Sequence, residues 1–211
     1  MSDWRDCIVI LIDLIGVKRL ASKGNSRASD LMRCFHEAVR QEMRTGLTSL
    51  DHAYVWNDAV LLLAYADDRS GALQESLRDA ARLKRRVDIV AQSYAIAVKG
   101  QVFPRPSRHI DHDTRVTVIR ASSYAMANCF EIEAEVKRKK LRKAWYVDER
   151  IVNELHMNAE ESITVELLPS SKGRKIYMYS GECFASSLTN GLQQEPLSPD
   201  VSCTKSKQLP S

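Results

Sequence analysis

An apolar run near the start of the chain leads into a single carboxylate. Residues 7–12 read CIVILI, and Asp13 follows before the chain continues as Leu-Ile-Gly. A continuous run of this kind is typical of a central strand that is covered on both faces. A carboxylate in such a strand loses its hydration on burial, which is unfavourable unless a cation or hydrogen-bond donors compensate. The sequence therefore predicts a buried strand that ends at a paired aspartate.

The segments after this strand alternate between helix and strand patterns. A helical apolar stripe spans 29–43, and two strand-like segments flank the pair Asn57-Asp58, which tolerates a two-residue hairpin turn. A second helix, a further strand and a third helix follow at 71–92, 94–103 and 117–140, and a short strand, a short helix and a hairpin end at 180. We predict an α+β fold with a ferredoxin-like βαββαβ core and helices packed on a mainly antiparallel sheet.

Length and composition indicate one domain and a tail. The 211 residues, 44% of them hydrophobic, suffice for one sizeable core. We predict that residues 1–184 form this domain and that 185–211, rich in Ser, Pro, Gln and Lys, form a disordered tail. No basic-then-apolar leader opens the sequence, and no apolar run reaches the roughly 18 residues of a membrane span. We therefore expect a cytoplasmic protein with no membrane partner.

A second aspartate stands at a predicted strand end. Asp58 lies where the second strand turns into the third, and neighbouring strands in one sheet could bring it to the same end as Asp13. Hard cations such as Mg²⁺ and Mn²⁺ take oxygen ligands, commonly one or two carboxylates with substrate phosphates and water. The pair predicts a divalent-cation site. The alternative is that Asp13 caps a turn and that Asp58 is an ordinary turn residue.

Two short motifs carry a family resemblance. The sequence IDLIG at 12–16 and WNDAVLLL at 56–63 resemble the class III nucleotide cyclases, whose first strand ends in an Asp-Ile-x-Gly-Phe type motif and whose next hairpin carries Gly-Asp. The resemblance spans roughly residues 5–180 and includes the predicted element order. Asn57 stands where the family has glycine, and Val17-Lys18 stand in place of Phe-Thr. The resemblance implies a class III nucleotide cyclase-like fold.

The resemblance also implies roles for these residues. Asp13, the backbone carbonyl of Leu14, and Asp58 would bind two Mn²⁺ or Mg²⁺ ions, and the backbone amides of Ile15, Gly16 and Val17 would hold phosphate oxygens. The ribose 3′ oxygen would attack the α-phosphorus of a nucleoside triphosphate and release pyrophosphate. One ion would lower the pKa of the 3′ hydroxyl while the other neutralises the triphosphate.

The position of Tyr54 bears on the base. The purine cyclases carry a base-reading lysine or glutamate four residues before the second metal aspartate, where this chain has Tyr54. A neutral phenol offers a donor and an acceptor, and its ring fills volume that a purine would need, which favours a pyrimidine. The alternative is an ordinary strand aromatic. With the IRA sequence at 119–121, the chain resembles the Pycsar antiphage pyrimidine cyclases, which implies a uridylate cyclase, with cytidylate cyclase as the alternative, whose product a separate effector protein would read.

Two basic residues are further candidates. The purine enzymes carry Asn-x-x-x-Arg on the helix after the fourth strand, and this chain lacks both residues at those positions. Arg120 is the candidate for stabilising transition-state charge, since a guanidinium binds phosphate oxygens with two parallel donors. Lys172 resembles the family's Lys-Gly turn that reaches the triphosphate. The alternatives are a surface helix arginine and a solvated hairpin tip.

The resemblance implies a homodimer with composite active sites, because class III domains pair head to tail and this chain has one copy. One rival is a non-catalytic nucleotide-binding sensor, motivated by the absent Asn-x-x-x-Arg. Another is a nucleic-acid-binding domain centred on the basic run 137–143, KRKKLRK, but this run lacks interleaved aromatics and predicts a solvated helix end. We therefore expect no nucleic-acid partner.

Overall fold

The computed structural model describes residues 4–22, 26–65, 71–103, 107–111, 116–120, 123–140, 144–157, 162–165 and 175–189. The strands are β1 (Arg5–Leu14), β2 (His52–Trp56), β3 (Ala59–Tyr65), β4 (Ser93–Val102), β5 (Ser107–Asp111), β6 (Val116–Arg120), β7 (Trp145–Asp148), β8 (Ile163–Val165) and β9 (Ile176–Tyr179). The helices are α1 (Val17–Ala21), α2 (Ser26–Gly46), α3 (Ala72–Val90), α4 (Tyr124–Arg138), α5 (Glu149–Glu154) and α6 (Gly181–Thr189).

One sheet organises the domain. Its strand order is β2-β3-β1-β4-β7-β9-β8, and β5 and β6 form a separate antiparallel pair. The pairing of β4 with β7 is parallel, and the other pairings within the large sheet are antiparallel. The first four strands have the ferredoxin-like order, with β1 between β3 and β4. The predicted α+β fold on a mainly antiparallel sheet is confirmed.

The alternation of side chains along β1 divides the core into two layers. Ile8, Ile10 and Ile12 point to the face that α2 and α3 cover, through residues such as Phe35 and Leu77. Cys7, Val9 and Leu11 point to the opposite face, where Ala125 and Cys129 of α4 pack. Because successive side chains of a strand point to opposite faces, Asp13 belongs to the α4 side of the sheet. The β1 strand is therefore buried on both faces, as its sequence predicts.

The predicted third helix is wrong in its first part. Residues 116–120 form strand β6, paired with β5, and α4 begins only at Tyr124. The sequence Val-Thr-Val-Ile is rich in β-branched residues, which favour a strand. Ser123 then caps the helix, since its hydroxyl accepts a hydrogen bond from the backbone N–H of Met126 at 3.1 Å.

The packed domain extends beyond the predicted boundary at residue 184. Helix α6 continues to Thr189, and its Phe184 and Leu188 are buried in the core. The Phe184 ring stacks on Trp145 with the ring centroids 4.0 Å apart. The boundary therefore falls inside a packed helix, because apolar residues at i and i+4 give α6 an inner face. The rest of the predicted tail, 190–211, lies outside the described residues.

A buried ion pair fixes the start of β4. The Lys84 ammonium of α3 donates to Asp88 Oδ2 at 2.8 Å and to the carbonyl oxygen of Ser93 at 3.1 Å. Asp88 Oδ1 in turn accepts from the Ser93 backbone N–H at 3.0 Å and from its hydroxyl at 2.8 Å. This Lys84–Asp88–Ser93 cluster holds the residue that precedes Tyr94. Within the described residues, no helix is long and apolar enough to cross a membrane.

Candidate active site

The structure identifies the partners that the buried Asp13 requires. Its side chain is 2% exposed, and Oδ2 accepts a hydrogen bond from the Tyr94 hydroxyl at 2.5 Å. The Lys137 ammonium lies 2.9 Å from the same oxygen. Tyr94 stands directly across from Asp13 in the β1–β4 pairing, whereas Lys137 comes from the last turn of α4. One neutral donor and one cation thus compensate the loss of hydration.

Burial and nearby charges shift the pKa values of both partners, Tyr94 and Lys137. Burial raises the pKa of Tyr94 far above its usual value, and the nearby Asp13 carboxylate raises it further, so Tyr94 stays a protonated donor. Partial burial disfavours the Lys137 charge, but hydrogen bonds to Asp13 and Glu133 outweigh this and raise the pKa of Lys137 overall. The Lys137 ammonium reaches Glu133, one helical turn earlier, at 2.6 Å.

The turn between β2 and β3 places Asp58 beside the end of β1. The Leu14 backbone N–H donates to the carbonyl oxygen of Asp58 at 2.9 Å, which ties the turn to the strand. Asn57 has a positive φ of 42°, a conformation that glycine adopts most easily and asparagine tolerates. Its carbonyl oxygen accepts a hydrogen bond from the His36 ring at 2.7 Å. Asparagine therefore meets the backbone requirement at the position where the resembling family has glycine.

The two aspartates interact electrostatically. Burial raises the pKa of Asp58 above its usual value, the negative charge of Asp13 raises it further, and Lys137 opposes the shift. A carboxylate whose charged form is disfavoured by a neighbouring negative charge lies in a site that attracts cations. Within the described part of the chain, no group of three or more His, Cys, Asp or Glu could hold a metal ion. The two carboxylates of Asp13 and Asp58 fit a hard divalent ion whose further oxygen ligands come from a backbone carbonyl and a substrate.

The segment predicted to hold phosphate is partly used by the fold. Gly16 has a left-handed backbone, with φ of 88°, and precedes α1. The Ile15 N–H donates to the carbonyl oxygen of Gln92 at 2.8 Å, so this amide is engaged within the protein. The phosphate role predicted for Ile15 is not supported by this geometry. For the amides of Gly16 and Val17 the role stays a prediction.

Tyr54 lies on the same face of the sheet as Asp13. In the strand register, Tyr54 is opposite Leu61, which pairs with Leu11, two residues before Asp13. Its ring lies 6.3 Å from that of His52. Burial raises the pKa of Tyr54, and the neighbouring Tyr65 adds to the shift. The phenol is therefore neutral at physiological pH, and its role with a base stays a prediction.

The side chains of the other two predicted site residues, Arg120 and Lys172, lie outside the described part of the chain. Arg120 is the last residue of β6, opposite Ser107, rather than a helix residue as predicted. Only its backbone is described. Lys172 lies outside the described residues. The structure thus brings Asp13, Leu14, Asp58 and Gly16 together at one end of the sheet.

Sequence reasoning missed two residues of this site, Tyr94 and Lys137. Tyr94 is the second residue of β4 and gives no local signal, because its contact with Asp13 depends on strand register. The basic run that contains Lys137 predicts a solvated helix end. The spacing of four between Glu133 and Lys137 is a local signal for an ion pair, and the need of Asp13 for a cation was also evident. The docking of α4 against β1 joins the two.

Comparisons with known proteins identify the fold. No family model and no curated protein matches the sequence. Among solved structures, the adenylyl cyclase CyaB from P. aeruginosa matches with a TM-score of 0.55 at 8% identity, over 83% of this chain and 93% of that one. The guanylate cyclase domain of RhGC from Catenaria anguillulae, in complex with GTP, matches with a TM-score of 0.59 at 9% identity, over 83% and 97%.

A third similar structure is the non-canonical dimeric guanylyl cyclase domain of the RhoGC fusion protein from Blastocladiella emersonii. Its TM-score is 0.55 at 11% identity, over 83% of this chain and 96% of that one. These matches cover nearly the whole of each cyclase domain, and identities this low establish the fold alone. The chain has the class III cyclase-like fold, as predicted.

Proposed function

We propose that this protein is a class III-type nucleotide cyclase that uses divalent ions to cyclise a nucleoside triphosphate. The observation that carries the proposal is the placement of Asp13 and Asp58 at one end of the sheet, where Asp13 pairs with Ala59 and the Leu14 N–H donates to the Asp58 carbonyl oxygen at 2.9 Å. Two carboxylates next to each other are costly to keep in a fold that does not use them. A bound cation would offset that cost.

In the proposed reaction, Asp13, Asp58 and the Leu14 carbonyl would hold two Mn²⁺ or Mg²⁺ ions, which would activate the ribose 3′ hydroxyl and neutralise the triphosphate. The tie between the Leu14 N–H and the Asp58 carbonyl fixes the two ligand-bearing segments relative to each other. The Tyr94 hydroxyl orients the Asp13 carboxylate. The amides of Gly16 and Val17, together with Lys172, would contact phosphate oxygens, and Arg120 would stabilise the charge that develops on them.

We further propose a pyrimidine substrate, with UTP converted to 3′,5′-cyclic UMP and pyrophosphate, and CTP as the alternative. Tyr54 supports this proposal, because it takes the place of a charged base-reading residue and stays neutral. Its position on the Asp13 side of the sheet leaves it on the face where a substrate would lie. In this proposal the cyclic nucleotide is a second messenger of bacterial antiphage defence, read by a separate effector protein.

The proposed enzyme pairs with a second copy of itself. Exposed aromatic side chains of α4 and the adjoining strands support this: Trp56, Phe103, Tyr124 and Phe130. The Trp56 and Phe130 ring centroids lie 6.4 Å apart, whereas Phe103 and Tyr124 both contact the Trp4 ring, toward the other end of the sheet. Exposed apolar patches are typical of interaction surfaces. A similar solved cyclase domain is described as dimeric.

The proposal is tested by incubating the purified chain with each of the four ribonucleoside triphosphates and Mn²⁺ or Mg²⁺, followed by mass spectrometry for cyclic monophosphates. Asp58→Asn is the matched control, since it keeps the side-chain shape and removes the charge. We expect cyclic UMP from the wild-type protein and none from Asp58→Asn. Cyclic CMP would select the alternative base, and a cyclic purine would refute the argument from Tyr54.

The oligomeric state is measured on the same samples by light scattering. A folded dimer that forms no product from any triphosphate would refute the cyclase proposal in favour of a nucleotide-binding sensor. The second candidate is motivated by the absence of both residues of the Asn-x-x-x-Arg element from the positions where the purine enzymes carry them. Nucleotide binding without turnover would distinguish it.

A further inference from the structure

The cation beside Asp13 in this structure is a side chain of the same protein. The Lys137 ammonium lies 2.9 Å from Asp13 Oδ2, on an aspartate that is 2% exposed. The lysine side chain itself is 58% exposed, so it reaches Asp13 from the solvent-exposed surface of α4. A buried carboxylate is thereby neutralised by a group that can leave without unpacking the core.

Lys137 has a second acceptor that does not belong to the metal site. Its ammonium lies 2.6 Å from Glu133 Oε1, at the i,i+4 spacing of a helical ion pair. When the contact with Asp13 is lost, the ammonium keeps both this partner and its access to water. Displacement from Asp13 therefore leaves neither Lys137 nor Glu133 without a partner of opposite charge.

The cation site and Lys137 draw on the same carboxylate. Both described contacts of Asp13, from Tyr94 and from Lys137, fall on Oδ2. The Tyr94 hydroxyl is neutral and does not repel a cation, whereas the Lys137 ammonium does. Lys137 also acts electrostatically on Asp58, where its positive charge opposes the rise in pKa that burial and Asp13 cause. A divalent ion held by these aspartates would meet the ammonium as a competitor of like sign.

We infer that Lys137 is an internal counter-cation that occupies the carboxylate site of Asp13 and is displaced when a divalent ion binds. This inference rests on the proposed metal site and adds a regulatory element to it. The apparent metal affinity is set below that of the bare carboxylate pair, because each binding event must first break the Lys137–Asp13 contact. In exchange, the protein avoids an unpaired buried carboxylate while no ion is bound.

The test is a Mn²⁺ titration of the full chain, followed by the electron paramagnetic resonance signal of free Mn²⁺, with no nucleotide present. Lys137→Gln removes the charge and keeps a hydrogen-bond donor for Asp13, and Lys137→Met removes both. We expect both variants to bind Mn²⁺ about tenfold more tightly than the wild-type protein, equivalent to about 1.4 kcal/mol. Lys137→Arg, which keeps the charge, is expected to stay within about twofold of the wild-type value.

Lys140→Met is the matched control, because Lys140 is exposed just beyond the end of α4 and carries the same charge. Equal tightening in Lys140→Met and Lys137→Met would reduce the effect to net charge and overturn the inference. Unchanged or weaker binding in both uncharged Lys137 variants would also overturn it, while loss of binding in Asp58→Asn would show that the metal site itself stands. Mn²⁺ binding that is insensitive to Asp58→Asn in every background would overturn the metal site and the inference together.

Discussion

Replacing Tyr94 by phenylalanine removes the hydroxyl that holds Asp13 and leaves the ring in place. The tyrosine is buried, and its hydroxyl donates to Asp13 Oδ2 at 2.5 Å. A hydrogen bond to a charged group contributes about 1.5 to 3 kcal/mol to stability. Lys137 still compensates the carboxylate in this variant, so we expect Tyr94→Phe to lower the free energy of unfolding by that amount and to leave the fold intact.

A double-mutant cycle with Asp13→Ala isolates the contact. In Asp13→Ala the hydroxyl loses its acceptor and Lys137 returns to solvent, so the effect of this single change mixes several contributions. The coupling between the two substitutions removes contributions that they do not share. We expect a coupling free energy of about 1.5 to 3 kcal/mol, measured by urea unfolding without divalent ions.

Tyr146→Phe provides the matched control for the cycle. Tyr146 is a buried tyrosine on the same face of the sheet, and its ring lies 6.4 Å from the Tyr94 ring. Its coupling to Asp13→Ala is expected to stay within about 0.5 kcal/mol. If Tyr94 and Tyr146 gave the same coupling, the Tyr94 hydroxyl would not hold Asp13, and its assignment as a positioning residue would be refuted.

Three further variants test other parts of the structure. Asp58→Asn is expected to stabilise the metal-free protein at neutral pH. The folded state raises the pKa of Asp58, so ionisation of this carboxyl lowers the free energy of unfolding of the wild-type protein as the pH rises above about 4. Urea unfolding should therefore show that the variant is more stable at neutral pH and that this difference disappears below about pH 4. Gly100→Ala would place a Cβ 2.9 Å from that of Ala125, so we expect the free energy of unfolding to fall by about 1 to 3 kcal/mol. Gly181→Ala is the control, because its Cβ would meet nothing within 4 Å, and we expect it to leave the free energy of unfolding nearly unchanged. Tyr54→Ala is expected to change the ratio of cyclic nucleotide products more than the affinity for Mn²⁺, and an unaltered ratio would assign the residue to packing alone.

Local signals in the sequence predict the central part of the fold well. The apolar run of β1 and the turn at Asn57-Asp58 have few alternative structures, and the structure confirms the strands and the hairpin that they predict. The prediction failed at β6, because four strand-forming residues run directly into a helical pattern and Ser123 marks the true start of α4. It also ended the domain too early, since a serine-rich composition concealed the inner face of α6.

The site was predictable only where its residues lie at the ends of strands that local patterns already define. Asp13 lies near the end of β1 and Asp58 in the turn before β3, so their meeting follows from the pairing of β1 with β3. The contacts of Asp13 with Tyr94 and Lys137 join residues 81 and 124 positions away, respectively. They depend on the register of β4 and on the docking of α4, which no local pattern specifies.

The position of Tyr94 in the site also depends on the Lys84–Asp88–Ser93 cluster, which lies in another part of the protein. Lys84 and Asp88 belong to α3, on the other side of the sheet from α4, yet they fix the residue that precedes Tyr94. Their loss would shift the Tyr94 hydroxyl without any change in the residues near the aspartates. In related sequences we therefore expect Lys84 and Asp88 to be replaced together or not at all, and we expect Tyr94 to persist wherever Asp13 does.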